Sequence, residues 1–80
     1  MNIASIKGLV EGSTMSELRA AADALLEERE PSTTIPGEDE AEQFTHVLAA
    51  IYIQEKIAEH GMDITTAIRD YTTRVRNSIT

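Results

Sequence analysis

The chain has no cysteine and no tryptophan, which removes disulfide frameworks, thiolate zinc sites and cysteine nucleophiles together. Two Tyr and one Phe are its only aromatic residues, too little flat surface for stacking bases. Positive charge is scarce as well: seven Lys and Arg against fourteen Asp and Glu leave a net charge of −7. A chain so acidic is poorly suited to displace counterions from a phosphate backbone or to lie on an anionic bilayer, so neither nucleic acid nor membrane is an expected partner. There is no apolar run of the ~18 residues a span requires and no charged n-region ahead of an apolar stretch. The expected compartment is therefore cytoplasmic. Only four glycines occur, all isolated, so no phosphate-binding loop is formed.

Against these absences stand nine Ile, five Leu, three Val and one Phe among 80 residues. That share lies just above the ~20% below which charged chains stay disordered. One small core is expected, within a single helical domain spanning residues 1–80. Folds of this size commonly add buried area by self-association.

Apolar spacing predicts an all-α fold, a small bundle of three main helices plus a short N-terminal helix, at about residues 2–10, 14–30, 38–60 and 63–79. Ile3, Ile6, Leu9 and Val10 set the first, with Gly12 behind it. Thr14-Met15-Ser16-Glu17 has the capping-box pattern that starts a helix. Met15, Leu18, Ala22, Leu25 and Leu26 then share a face until Pro31 stops the run. In the last helix Ile64, Ala67, Ile68, Tyr71, Val75 and Ile79 form one apolar stripe, and Asp70 and Arg74 stand in the favourable acid-first order.

The third helix is apolar in two directions. Phe44, Val47, Leu48, Ile51 and Ala58 gather on one side, and His46, Ala50, Ile53 and Ile57 on nearly the opposite one. Two other sizeable helices are a thin supply of cover for both faces. The expectation is a homodimer completing the bundle, with His46, Ala50, Ile53 and Ile57 as candidate interface residues.

Acidic residues are concentrated: Glu27, Glu28, Glu30, Glu38, Asp39, Glu40 and Glu42 supply seven of the fourteen within sixteen positions. For Glu38 to Glu42 the ordinary explanation is a first helical turn, where the macrodipole favours anions by ~0.3–1 kcal/mol each. Glu27, Glu28 and Glu30 sit at the C-terminal end of a helix, where the same dipole disfavours them. Glu27, Glu28, Glu30, Glu38, Asp39 and Glu40 are thus candidates for contacting a protein partner, or for pairing between subunits with Arg69, Arg74 and Arg76.

Glu42 and His46, four apart on one helical face, are weak candidates for a metal site completed across a dimer. Di-iron bundles instead use Glu-x-x-His, with more ligands from other helices, and here Gln43 occupies the position three before His46. The calmer alternative makes His46 a hydrogen-bonded residue in a partly buried setting. No nucleophile elbow or triad spacing is present, so no enzyme and no cofactor are expected.

Gly37-Glu38-Asp39-Glu40-Ala41-Glu42-Gln43-Phe44-Thr45-His46-Val47-Leu48-Ala49-Ala50, together with Arg69-Asp70-Tyr71-Thr72-Thr73-Arg74-Val75-Arg76, resembles a family of short bacterial proteins classed as a domain of unknown function. The resemblance spans nearly the whole chain. It implies no particular activity, cofactor or site.

Overall fold

Every helix starts at a short polar side chain that accepts a hydrogen bond from an amide one turn ahead. Asn2 accepts from the Ser5 amide at 3.2 Å to open α1 (Ile3–Gly12). For α2 (Met15–Leu26) the Thr14 hydroxyl accepts from the Glu17 amide at 3.1 Å, and the Glu17 carboxylate accepts from the Thr14 amide at 2.8 Å. Asp39 accepts from the Glu42 amide at 2.8 Å to open α3 (Glu40–His60). Asp63 accepts from the Thr66 amide at 2.7 Å ahead of α4 (Ile64–Ser78), and that bond holds its carboxyl below the usual range. The computed structural model describes residues 2–78, and within them the regular structure is entirely helical.

The helix ends differ from expectation in two places. α1 runs on through Gly12 and is capped at Ser13, whose amide donates to the Leu9 carbonyl at 3.0 Å. α2 stops at Leu26, several residues before Pro31. There the Arg29 amide donates to the Ala24 carbonyl at 2.7 Å and the Glu28 amide to the Leu25 carbonyl at 3.2 Å, the paired bonds of a Schellman termination. This early stop leaves Leu26 off the apolar face predicted for it, 68% exposed. Ile79 lies outside the described residues.

α3 is the axis of the molecule. α1, α2 and α4 each pack on it, and contacts among those three are slight. One cluster joins Leu9, Leu18, Ala21, Ala22, Leu25, Val47 and Ala50 with Ile35 of the connector. A second joins Ile6, Ala49, Ile53 and Ala67, flanked by Tyr52, Ile57, Ile68 and Tyr71. Full burial of each larger aliphatic chain here contributes roughly 1.5–3 kcal/mol. With an 18 Å short dimension the fold holds two helix layers rather than three.

α1, the shortest helix, supplies the cover that the two-faced pattern of α3 appeared to require from a second subunit. It puts Leu9 into the first cluster and Ile6 into the second. His46, Ala50 and Ile53 are consequently buried inside one chain, at 1%, 0% and 0% exposure, and Ile57 is half-buried. Leu48, on the other predicted face, is 46% exposed, and Ala58 is exposed as well.

Gly37 closes the connector against the start of α3. Its φ is +146°, and a Cβ there would lie 2.8 Å from Gln43 Cγ and 2.9 Å from the Gln43 amide nitrogen. No side chain fits so close to backbone. Gln43 uses the approach to donate to the Gly37 carbonyl at 3.3 Å.

Candidate functional site

The acidic residues converge where α2 ends and α3 begins. Glu28, Glu30 and Glu40 line one cleft of about 350 Å³, together with Leu25, Arg29, Pro31 and Gln43. Glu27 stands beside it and pairs with Arg29 at 2.8 Å. Both partners of that pair are mostly exposed, so water screens it and its contribution to stability is small. Glu38 and Asp39 do different work: Asp39 caps α3, and the Glu38 amide donates to the Glu42 carboxylate at 3.3 Å. Of the six partner-contact candidates, the fold brings three to one cleft and commits two to a helix start.

Glu28 is the unusual member of the group. It is the C′ residue of the Schellman termination and has φ +58°, the only positive φ outside glycine among the described residues. For a residue with a side chain this conformation costs ~1–2 kcal/mol, and glycine normally takes the position. The carboxylate also sits at the negative end of the α2 dipole. Two local penalties thus meet at one exposed side chain that makes no hydrogen bond or ion pair with the fold.

His46 is part of the scaffold. Its Nδ1 lies 2.8 Å from the Pro36 carbonyl and its Nε2 accepts from the Asn2 amide at 3.1 Å. A carbonyl only accepts, so Nδ1 carries the proton and Nε2 offers its lone pair, an assignment made from the partners. Both nitrogens are engaged, and no lone pair is left for a cation. Glu42 spends its side chain on the start of α3. Among the described residues no group of three or more His, Asp or Glu side chains is placed to hold a metal.

Two α3 residues that the sequence pattern passed over prove central. Gln54 Nε2 donates to the carbonyls of Val10 and Ser13, at 3.1 and 2.6 Å. The Tyr52 hydroxyl donates to Asp70 of α4 at 2.9 Å, its ring lies 5.6 Å from that of Tyr71, and Lys56 and Arg74 stand over it at 5.4 and 5.8 Å. Arg74 also donates to Asp70 at 3.3 Å. Burial, and then the bond to Asp70, push the Tyr52 hydroxyl up from its ordinary value. That same bond, with Arg74 and Lys56 assisting, holds the Asp70 carboxyl below the carboxylate range. Asp70 and Arg74 are readable as an i, i+4 pair; a tyrosine on the facing helix was the remaining signal.

No described helix is long and apolar enough to cross a membrane. The protein is a small all-helical domain organised around one central helix, with a carboxylate-lined cleft at one end of it. It belongs to the family of unknown function DUF6952, whose family model matches residues 1–80. No curated protein and no solved structure matches the chain.

Proposed function

We infer that this chain is a non-enzymatic interaction module that binds a basic segment of another protein through the acidic cleft between α2 and α3. The observation that carries the reading is Glu28. A carboxylate held in a left-handed conformation, at the helix end that repels it, lowers stability, and sites retained against stability are concentrated where chains bind or switch. Glu30 and Glu40 add negative charge across the same cleft, and exposed Leu26 offers an apolar contact beside it. A cationic partner is attracted over about a Debye length, ~8 Å at physiological salt, and guided into register by complementary charge.

The test compares partner recovery from cell extract by the wild-type chain and by a variant in which Glu27, Glu28 and Glu30 are all Gln. Loss of a basic partner, restored for wild type when salt is lowered, is the expected outcome. Equal recovery by both chains discards this surface.

The second part of the reading is self-association as a homodimer. Its support is the small core together with the exposure of Ile3, Leu26 and Leu48, apolar side chains for which one chain has no cover. Light scattering after size exclusion decides it. A species that stays monomeric at high micromolar concentration removes the dimer and leaves the acidic cleft to be judged separately.

A further inference from the structure

α4 is attached differently from the other helices. Among its described residues only Ala67 is fully buried, whereas α1 buries Ile6 and Leu9 and α2 buries five residues. Its packing is on α3, and the side-chain bonds that hold it run from Tyr52 to Asp70 and across the Tyr52 and Tyr71 rings. The connection between the two helices is Gly61-Met62-Asp63, with Gly61 left-handed at φ +64°. A change in backbone angles at these positions swings α4 away as a unit, because elements with few buried contacts open at lower free energy than the whole domain.

Opening α4 uncovers the side of α3 that includes Ala49, Ile53 and Ile57, and the only chemistry known to fit that side is α4 itself. Charge points to the α4 of a second copy. Residues 61–80 carry three Arg against two Asp, a net +1, while residues 1–60 carry four Lys and Arg against twelve Asp and Glu, a net −8. Two whole chains repel, but the α4 segment of one is attracted to the body of the other. Exchange also preserves every α3–α4 contact, since Tyr52, Lys56, Asp70, Tyr71 and Arg74 meet the same neighbours from the partner copy. Swapping an identical element is a low-cost route to dimers, and short hinges favour it.

We propose that α4 is an exchangeable strap that docks on the Ala49, Ile53 and Ile57 side of α3 in a second copy of this chain, giving a reciprocal dimer. The inference rests on the self-association reading above and states which surface and which segment make that dimer. It places the candidate interface residues Ile53 and Ile57 beneath a partner's helix while each subunit keeps its core complete.

Lys56 and Asp70 provide the test, because they lie close enough to interact across the α3–α4 contact. Equal amounts of ordinary and heavy-isotope full-length chain are mixed, held at millimolar concentration, and separated into monomer and dimer. A zero-length carbodiimide then couples Lys56 to Asp70, and mass spectrometry reads the labels on each coupled pair. Exchange predicts that close to half of the pairs from the dimer join a light and a heavy peptide, the statistical share, while pairs from the monomer fraction are all of one label. Tyr52→Phe, which removes the hydroxyl bond holding α4, is expected to speed the approach to that distribution several-fold. A dimer whose pairs all carry one label overturns the exchange and leaves self-association standing; absence of any dimer overturns both.

Discussion

His46 and Gln54, eight positions apart on α3, hold opposite ends of α1. The imidazole accepts from the Asn2 amide at the start of that helix, and the carboxamide donates to the Val10 and Ser13 carbonyls at its end. The two helices therefore run parallel, a direction fixed by two polar side chains as much as by the apolar contacts of Ile6 and Leu9. Because helix ends leave amides and carbonyls without intrahelical partners, each of these side chains satisfies groups that α1 cannot satisfy itself. His46 ties a third element by donating to Pro36.

Replacing His46 by Leu keeps much of the volume and removes both polar contacts. The Asn2 amide lies near the surface and can return to water, while the part-buried Pro36 carbonyl loses its only donor in that bond. A loss of about 1–3 kcal/mol is expected, the cost of leaving such groups unpaired. That is a large part of the ~4–12 kcal/mol typical for a chain of this length. Urea unfolding measures it. A midpoint unchanged from wild type shows that the imidazole bonds contribute nothing net.

Gln54→Met leaves the aliphatic contact and removes the donor to two carbonyls. The expected effect is local: amides near Gly12 and Ser13 exchange faster with solvent, while those near Ile6 keep their protection. Hydrogen exchange resolved by residue distinguishes this from a general loss of stability. Equal acceleration along all of α1 contradicts the proposed division of labour between His46 and Gln54.

What the sequence made legible was what neighbouring residues decide among themselves. The Thr14 and Glu17 box, the acidic start of α3 and the apolar stripe of α4 are relations over three or four positions, and the structure contains all of them. The termination of α2 was misjudged because Glu28 occupies a position that glycine usually marks, so the pattern gave no stop before Pro31. His46 was visible as a residue but its role was not. Its partners, the Asn2 amide and the Pro36 carbonyl, are backbone groups 44 and 10 positions away, and backbone groups have no sequence signature. The reach of α1 into both apolar clusters was hidden for a similar reason: helical periodicity gives the direction of a face and says nothing of which element will cover it. At the acidic cleft, the gathering of Glu28, Glu30 and Glu40 follows from α2 ending beside the start of α3, which only the tertiary fold determines.

Glu28→Gly separates conformation from charge at that cleft. Glycine occupies the left-handed position without the steric cost, and its greater freedom when unfolded returns part of the gain, so a net stabilisation of about 0.5–1 kcal/mol is expected. Recovery of a basic partner should fall at the same time, because one of the cleft carboxylates is gone. Greater stability with weaker binding is the pattern of a residue kept for contact rather than for folding. A variant both less stable and equally competent in binding contradicts the role assigned to Glu28.

The Tyr52 bond to Asp70 gives α4 docking a dependence on acid. The native carboxyl of Asp70 lies below its unfolded value, chiefly because the Tyr52 hydroxyl donates to it. A group depressed in this way contributes fully above the unfolded pKa of about 3.9. The contribution is lost as pH falls through the lowered native value. Tyr52→Phe removes the main cause, so Asp70 should titrate nearer the ordinary carboxylate range and the acid-dependent part of stability should shrink. Carboxyl chemical shifts followed through an NMR pH titration of both chains give the comparison directly. If Asp70 titrates identically with and without the hydroxyl, the latch between α3 and α4 is the packing of the Tyr52 and Tyr71 rings alone, and the faster strap exchange expected of Tyr52→Phe should vanish with it.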